Sequence, residues 1–259
     1  MHKLVLIRAV LLLTVSSLAG QAFASDAPTI SKAVIYAVAD SSRPATDVER
    51  DANRKPAETL AFIGVKAGDK VADYAAGGGY FTRLFADVVG SEGHVYAIAP
   101  TSFFAFPGAV KGVAEIEAWS VPHTNVSVTV AAPLEGVKYP ESLDLFWISQ
   151  NYHDLLDKFM GPVDIAAFNK AVYAALKPGG LYVVLDHVAA KDAPVDVTET
   201  LHRIEPSTVR RQVEAAGFKF EGESAILANP ADPHAVGVFD KSIRGHTDQF
   251  IYKFRKPGK

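Results

Sequence analysis

Strand-like and helix-like runs alternate along most of this chain, from about Asp69 to its end. The strand-like runs are KVADYA, HVYAIAP, VSVTVA, LDLFWIS, LYVVLDHV, FKFEGESAIL and DQFIYKFRK. Runs with helical spacing, such as YFTRLFADVVG and DIAAFNKAVYAAL, lie between consecutive strand-like runs among the first five. The third and fourth strand-like runs are the exception, since no helix-like run lies between them. Apolar strands alternating with helices are typical of a mostly parallel sheet covered on both faces. The sequence therefore predicts an α/β, three-layer, Rossmann-like fold with seven strands.

The last two strand-like runs have no helix-like run between them, so we expect the last strand to be antiparallel. The chain has 259 residues and no cysteine, which excludes disulfide bonds. Once residues 1–24 are set aside, 235 remain with a formal charge of −5, which suits one domain. We assign residues 25–68 to an N-terminal cap segment and residues 69–259 to the core. A mildly acidic chain without basic clusters argues against nucleic acid as a partner.

The first 24 residues have the features of a secretory signal peptide. Lys3 and Arg8 precede an apolar run, and Ala22-Phe23-Ala24 forms a cleavage signal of small residues. The apolar run has about 12 residues, whereas a membrane span needs about 20. We expect cleavage after Ala24, export to the periplasm or the medium, and no stable membrane insertion afterwards. An uncleaved N-terminal anchor is the alternative. The oligomeric state is left open.

A glycine turn follows the first predicted strand, in the segment VADYAAGGGYFTRL. In open α/β sheets, ligands bind beyond the carboxyl ends of the strands, and the first strand-to-helix turn is a frequent place. Gly77, Gly78 and Gly79 allow close approach of the backbone, and the helix beginning near Tyr80 points free N–H groups there. The loop is not a phosphate loop, because no Gly-Lys-Ser/Thr follows, and Thr82 stands where a dinucleotide fingerprint has its third glycine. By itself it fits a ligand loop or a plain tight turn.

The segment GVKAGDKVADYAAGGGYFT resembles the first motif of class I S-adenosylmethionine-dependent methyltransferases, Asp-x-Gly-x-Gly-x-Gly after the first strand. ALKPGGLYVVLD resembles the segment around the fifth strand of that superfamily. RDANRKPAETLAF, NYHDL, LHRIEPSTVRRQVEAAGF and NPADPHAVGVFDKSIRGHTDQF resemble a bacterial family of exported "predicted methyltransferases". The resemblance covers nearly all of the mature chain and implies the class I methyltransferase fold with S-adenosylmethionine as cofactor. The cofactor-binding positions that it implies are Asp73, Ala75, Gly77, Gly78, Gly79, Tyr80 and Ala99.

The chain departs from the superfamily pattern at several of these places. Ala75 replaces the first glycine of the motif. Ala99 stands where an acidic residue at the end of the second strand usually binds the ribose hydroxyls. Ala131 and Ala132 stand after the third strand, where an acidic residue often meets the adenine amine. Each lost hydrogen bond costs on the order of 1 kcal/mol, so both losses together weaken binding about tenfold or more.

Polar residues follow the fourth and fifth predicted strands and converge on one edge of the sheet. A methyltransferase needs a base near neutral pKa, and His153 and His187 are the candidates. We expect Tyr152 or Asn151 to orient the substrate and Asp186 to fix the tautomer of an imidazole. His202, Arg203 and Glu205 add to the same edge. Histidines in such places are often purely structural.

Two further interpretations concern the same region and its surroundings. His153, Asp154, Asp186, His187 and His202 are suitable metal ligands, but no short His-x-x-x-His spacing occurs, so the sequence predicts no metal site. Arg50 and Arg54 of the cap segment fit either a cofactor carboxylate or local ion pairs. The loop at 229–250 has the length of a functional lid, with Arg244 and His246 as its most suggestive members.

Two functional hypotheses follow from the sequence. In the first, the protein is an exported S-adenosylmethionine-dependent methyltransferase that modifies a small molecule or an envelope nucleophile. In the second, it is a non-catalytic or repurposed protein of methyltransferase fold that binds another small ligand in the periplasm. Both hypotheses predict a small-molecule partner above the glycine turn.

Overall fold

The computed structural model describes residues 29–161 and 163–258. The predicted signal peptide, residues 1–24, lies outside the described residues. Seven strands form one sheet: β1 (Lys70–Tyr74), β2 (His94–Pro100), β3 (Val126–Ala131), β4 (Leu143–Ser149), β5 (Leu176–His187), β6 (Lys219–Ser224) and β7 (Gln249–Arg255). Their order is β3-β2-β1-β4-β5-β7-β6, and β7 runs antiparallel to both of its neighbours. The predicted mostly parallel sheet with an antiparallel last strand is therefore confirmed.

Nine α-helices surround the sheet in the described residues. They are α1 (Lys32–Ala39), α2 (Ala45–Val48), α3 (Asp51–Arg54), α4 (Pro56–Ile63), α5 (Tyr80–Val89), α6 (Pro107–Ser120), α7 (Ile165–Ala175), α8 (Val197–Leu201) and α9 (Pro206–Ala215). Short 3₁₀ turns cover Thr101–Ala105, Glu135–Val137, His153–Leu156 and Lys158–Met160. The described residues of the cap segment form four short helices, α1 to α4. No helix in the described part of the chain combines the length and apolar character that crossing a bilayer requires.

The central strands of the sheet, β1, β2 and β4, are buried on both faces, which explains why they are mostly apolar. Along β4, Phe146 and Ile148 face the cluster that includes α7 and α9. Leu145 and Trp147 point to the opposite cluster, which includes α1, α4 and α5. Since successive side chains of a strand point to opposite faces, each helical layer receives every second residue. This packing fixes the register of the central strands and therefore the positions of their carboxyl ends.

Candidate functional site

A cavity of about 600 Å³ lies where the order of the strands reverses, between β1 and β4. The ends of β1 and β4, the glycine turn and the cap form one side, which we call the glycine-turn side. The segments after β4 and β5, with His153, His187 and His202, form the other, which we call the histidine side. Its wall consists of Arg50, Arg54, Asp73, Ala75, Ala76, Gly77, Gly78, Tyr80, Phe81, Phe103, Phe106, Gly108, Ala109, Ser149, Gln150, Asn151, His153, Asp154, Phe159, His187, His202, Val238 and Phe239. The position agrees with the general rule for ligand sites in open α/β sheets.

The glycine turn reaches the cavity through its backbone. Ala75, Gly77 and Gly79 have φ values of 60°, 57° and 83°, in the left-handed region that favours glycine. Of the residues predicted to bind the cofactor, Ala75, Gly77, Gly78 and Tyr80 lie in the cavity wall. Gly79 does not, because it faces helix α6, where an added Cβ would lie 2.6 Å from Cδ1 of Ile116.

Ala99 does not line the cavity either. It lies within β2, pairs with Val130 of β3 and is 7% exposed. The segment that follows β2, Thr101–Ala105, contributes Phe103 instead. The position equivalent to an acidic ribose anchor is thus both apolar and outside the wall of this cavity.

Asp73 lies at the end of β1, and its side chain is buried against helix α5. Its carboxylate accepts a hydrogen bond from the hydroxyl of Thr82 at 2.6 Å. Burial raises the pKa of Asp73 to about 7, although Thr82 and the charge of Arg54 act in the opposite direction. Asp73 also lines the cavity, so a carboxyl group that titrates near neutrality faces the ligand space.

Ion pairs hold the cap on the glycine turn and α5. Arg43 contacts both carboxylate oxygens of Asp51, at 2.8 and 2.7 Å, and Asp51 also accepts a hydrogen bond from the Tyr80 hydroxyl at 2.7 Å. Asp47 and Arg83 form a buried pair at 2.7 Å. Bidentate and buried pairs of this kind fix geometry as well as charge. Of the two arginines for which the sequence left local ion pairs open, Arg50 forms one, with Asp47 at 2.9 Å.

Arg54 differs from the other arginines of the cap. Its guanidinium donates to Oε1 of Gln150 at 3.1 Å and lies 4.7 Å from the ring centre of Tyr80. Among the described residues, no carboxylate lies within ion-pair distance of it. Burial lowers its pKa to about 10, with the charge of Arg50 adding to the effect. Arg54 therefore presents to the cavity a cation whose carboxylate partner is missing.

The opposite side of the cavity is built on His153 and the carboxylates around it. Nδ1 of His153 lies 2.8 Å from Oδ1 of Asp186, and its Nε2 lies 3.2 Å from Oδ1 of Asp154. Asp186 also accepts from the backbone N–H of His153 at 2.9 Å, so it fixes the ring, as the sequence predicted. Burial alone would lower the pKa of His153, but Asp186 and Asp154 outweigh it and raise the pKa to about 10.

His187 lines the same side but differs in its electrostatics. Its Nδ1 lies 2.8 Å from the hydroxyl oxygen of Thr247. Burial lowers its pKa to about 4, because Asp186 only partly offsets the loss of solvation. The sequence predicts a base with a pKa near neutral at His153 or His187, whereas the pKa of His153 is raised and that of His187 is lowered.

Of the two residues expected to orient the substrate, only Asn151 reaches the cavity. It donates to Oδ2 of Asp154 at 2.7 Å. The Tyr152 side chain is fully buried in the core, where its hydroxyl donates to Gln212 at 3.0 Å and accepts from Asn169 at 2.9 Å. The assignment of Tyr152 was wrong because the chain turns after β4 into a 3₁₀ turn, which places neighbouring side chains on opposite sides.

The residues predicted in the segment after β5 also differ in whether they line the cavity. His202 lines the cavity, whereas Arg203 is fully buried and pairs with Asp232 at 2.9 Å. Glu205 caps α9 by accepting from the N–H of Thr208. The long loop before β7 does contribute to the cavity, but through Val238 and Phe239 rather than Arg244 or His246.

Sequence reasoning missed the aromatic wall of the cavity. Phe103 and Phe106 lie 5.4 and 5.1 Å from the ring centre of Phe159, all edge to face. The signal was available, since the segment TSFFAFP directly follows the carboxyl end of β2. Three phenylalanines in a segment that continues no strand are more than a connection needs. Gln150, with a φ of 60° directly after β4, was missed as well.

Comparisons with known proteins agree with this architecture. Neither the protein-family models nor the curated proteins give a match. A SAM-dependent methyltransferase from Aquifex aeolicus has a TM-score of 0.53 and 18% identity, over 82% of this chain and 94% of that chain. CrArsM, an arsenic(III) S-adenosylmethionine methyltransferase from Chlamydomonas reinhardtii, has a TM-score of 0.54 and 19% identity, over 87% and 73% of the two chains. The [4+2]-cyclase SpnF has a TM-score of 0.55 and 17% identity, over 83% and 82%. The chain therefore has the class I methyltransferase fold.

Proposed function

We propose that this protein is an S-adenosylmethionine-dependent methyltransferase that acts on a small molecule. The observation that carries the proposal is the cavity above the glycine turn, where Arg54 faces the ligand space and no carboxylate of residues 29–161 and 163–258 pairs with it. S-adenosylmethionine carries an amino-acid carboxylate, which is the group that Arg54 would bind. The cofactor would supply an electrophilic methyl group on a sulfonium centre.

The residues of the glycine-turn side fit the amino-acid part of this cofactor. The cavity volume of about 600 Å³ lies within the range of about 300–1,000 Å³ found for small-molecule sites. Gly77 and Gly78 leave the backbone open to close approach, and Asp73 offers a carboxyl group to a ligand amine or hydroxyl. Tyr80 holds its ring beneath Arg54 and thereby directs the guanidinium.

The adenosine part would depend on apolar contacts more than on hydrogen bonds. No Asp or Glu occurs between Ala97 and Gly108, the region around the end of β2. Phe103 and Phe106 are the cavity residues that this region provides. Aromatic faces stack well on a purine, so they offset part of the roughly tenfold loss expected from the missing acidic anchors.

The acceptor would lie on the histidine side. Phe159 and Phe239 line this side, and His187 and Asn151 offer hydrogen-bonding groups to a polar acceptor. A cavity of about 600 Å³ with aromatic walls favours a small molecule over an envelope polymer. The chain's own residues would orient the acceptor and exclude water, which is the main protein contribution to a methyl transfer.

Calorimetric titration with S-adenosylmethionine and with S-adenosylhomocysteine tests the proposal. We expect binding in the micromolar range, weakened about tenfold or more by Arg54→Met, because a hydrogen bond to a charged group contributes about 1.5–3 kcal/mol. Arg210→Met is the matched control, since Arg210 lies on α9 and is absent from the cavity wall. No binding at millimolar ligand, or equal binding by both variants, would refute the proposed cofactor site.

The second candidate is a protein of this fold that binds a ligand without transferring a methyl group. The missing acidic residues after β2 and β3 favour it, and the similarity to a [4+2]-cyclase is consistent with other activities on this fold. Formation of S-adenosylhomocysteine in the presence of candidate acceptors separates the two. Cofactor binding without any turnover across an acceptor library would support this second candidate.

We also propose that the protein is exported and that residues 1–24 are removed. The proposal is supported by the leader sequence and by the resemblance to exported methyltransferase-like proteins. It is tested by the N-terminal sequence of the protein in a periplasmic fraction, where we expect Ser25 as the first residue. An intact N-terminus in the membrane fraction would favour the uncleaved anchor.

A further inference from the structure

We propose that the histidine side of the cavity binds a divalent metal ion through His153, Asp154 and His202. One ligand atom from each of these residues lies within 4.8 Å of the other two. Two imidazoles and one carboxylate form a donor set suited to Zn²⁺ and related borderline ions. The three residues come from two separate segments, so sequence spacing could not reveal the set.

The distances between the ligand atoms are close to those that a bound ion requires. Oδ1 of Asp154 lies 3.2 Å from Nε2 of His153 and 3.8 Å from Nδ1 of His202. A tetrahedral ion with bonds of about 2.0–2.1 Å separates its ligand atoms by roughly 3.3 Å. A small movement of His202 would therefore complete the geometry.

Residues around the three ligands hold them in the orientation that metal binding needs. Asp186 engages Nδ1 of His153 at 2.8 Å, which directs Nε2 toward Asp154. Asn151 donates to Oδ2 of Asp154 at 2.7 Å and leaves Oδ1 facing the histidines. A histidine held by a carboxylate on its second nitrogen is the usual arrangement around a protein-bound metal.

The charges of this side also call for a cation. Asp154, Asp157 and Asp186 are all buried, at 5%, 1% and 0% exposure. Among the described residues, no lysine or arginine forms an ion pair with any of them, and Oδ1 of Asp157 has no hydrogen-bond partner. Buried carboxylates are normally paired or coordinate metals. His153 is the cation that neighbours these carboxylates, and a divalent ion would replace its proton and bring one further positive charge.

The end of helix α8 places the third ligand beside the other two. His202 follows α8 directly and has a φ of 53°, in the left-handed region where histidine is enriched among non-glycine residues. Its ring lies edge-on to that of His153, with ring centres 5.5 Å apart.

Three protein ligands leave at least one coordination position open, and all three residues line the cavity. Sites with three protein ligands and an open position are typical of catalytic rather than structural ions. The ion would bind an oxygen or nitrogen atom of the molecule in the cavity. That role in acceptor binding rests on the proposed function, whereas metal binding itself does not.

The test is titration of the untagged, chelator-treated chain with Zn²⁺ and Co²⁺, followed by calorimetry and by the visible absorption of Co²⁺. We expect one equivalent per chain and the intense absorption of four- or five-coordinate cobalt. His202→Asn should weaken binding at least tenfold, and its asparagine tolerates the left-handed backbone. Asp186→Asn should weaken binding by about 10–100-fold through His153.

His123→Asn is the matched control, because His123 stacks on Trp119 and is absent from the cavity wall. Its affinity should equal that of the unaltered chain. No stoichiometric binding, or binding that His202→Asn leaves unchanged, would overturn the proposal. The result is separable from the proposed function, since S-adenosylmethionine binding in the Arg54→Met experiment is measured without added metal.

Discussion

The two sides of the cavity are built by different means. On the glycine-turn side, positive φ values at Ala75 and Gly77 shape the wall, and ion pairs of Arg43, Arg50 and Arg83 stabilise the cap. On the histidine side, side-chain hydrogen bonds to Asp186 and Asp154 shape the wall, and no lysine or arginine of the described residues pairs with these two carboxylates.

The charge that remains unbalanced has opposite sign on the two sides. The glycine-turn side retains the cation of Arg54, and the histidine side retains buried carboxylates. A ligand with an anionic group near Arg54, together with a cation near the buried carboxylates, would balance the charge on both sides of the cavity. The comparison teaches that the backbone selects where a ligand lies, whereas uncompensated charges indicate what kind of group it presents.

Arg203→Met should produce the largest effect, on the histidine side. Arg203 pairs with Asp232 and donates to the carbonyls of Val188 and Val236, with both charged side chains fully buried. Removing one partner of a buried pair costs about 3–5 kcal/mol. Urea unfolding measures the loss. Arg211→Met, on the exposed face of α9, is the control with little change. A loss of unfolding free energy below about 1 kcal/mol would mean that contacts other than Arg203 hold the loop at 229–250 in place.

On the glycine-turn side, the pH dependence of stability should reflect Asp73. Its pKa rises from 3.8 to about 7 on folding, because the carboxyl group is buried. Between these values the folded chain holds a proton that the unfolded chain releases, so stability falls as pH rises from about 4 to about 7. The effect amounts to as much as about 4 kcal/mol. In urea unfolding, Asp73→Asn should reduce the change in unfolding free energy with pH over this range. An unchanged pH dependence would mean that other titratable groups cause it.

Gly79→Ala should destabilise the chain by about 2 kcal/mol, because alanine is strained at a φ of 83° and its Cβ would clash with Ile116. Gly78→Ala is the matched control, since its φ is ordinary and the nearest atoms to an added Cβ lie 3.8 Å away. Thermal or urea unfolding compares the two. Equal losses would show that the turn tolerates side chains irrespective of its backbone conformation.

Ala75→Gly should give the smallest effect and stabilise the chain. Ala75 has a φ of 60°, a conformation that costs an alanine about 1–2 kcal/mol. Glycine removes this strain, but part of the gain is offset because glycine raises the conformational entropy of the unfolded chain. We expect a gain of about 0.5–1 kcal/mol in urea unfolding. Ala76→Gly, at an ordinary φ, should be neutral or destabilising. A loss at position 75 would mean that the methyl group is needed for packing.

The sequence predicted the sheet and the glycine turn well because both depend on local patterns. Strand and helix periodicity in runs such as HVYAIAP and YFTRLFADVVG gave the element order, and Gly77 and Gly78 gave the place of the ligand loop. The histidine side was predicted less completely. Neighbouring side chains after β4 point in different directions. Tyr152 is buried in the core, whereas Asn151 and His153 line the cavity.

Other features depended on contacts between distant segments, which no local pattern records. Arg50 and Arg54 both line the cavity, yet only the folded chain shows that Arg50 pairs with Asp47 whereas no carboxylate of the described residues pairs with Arg54. The pKa values of His153 and His187 diverge although both histidines are buried in the cavity wall, because His153 contacts two carboxylates and His187 contacts a hydroxyl group. Desolvation and pairing are properties of the assembled core.

The sequence alone determined the α/β class, the antiparallel last strand and the position of a glycine turn after β1, since each follows from periodicity and from glycines at a turn. Only the tertiary structure decided which polar residues face the cavity, which arginine lacks a partner and which histidines meet Asp154. These depend on where the carboxyl ends of separate strands come together, and the packing of the two faces of the sheet sets that geometry.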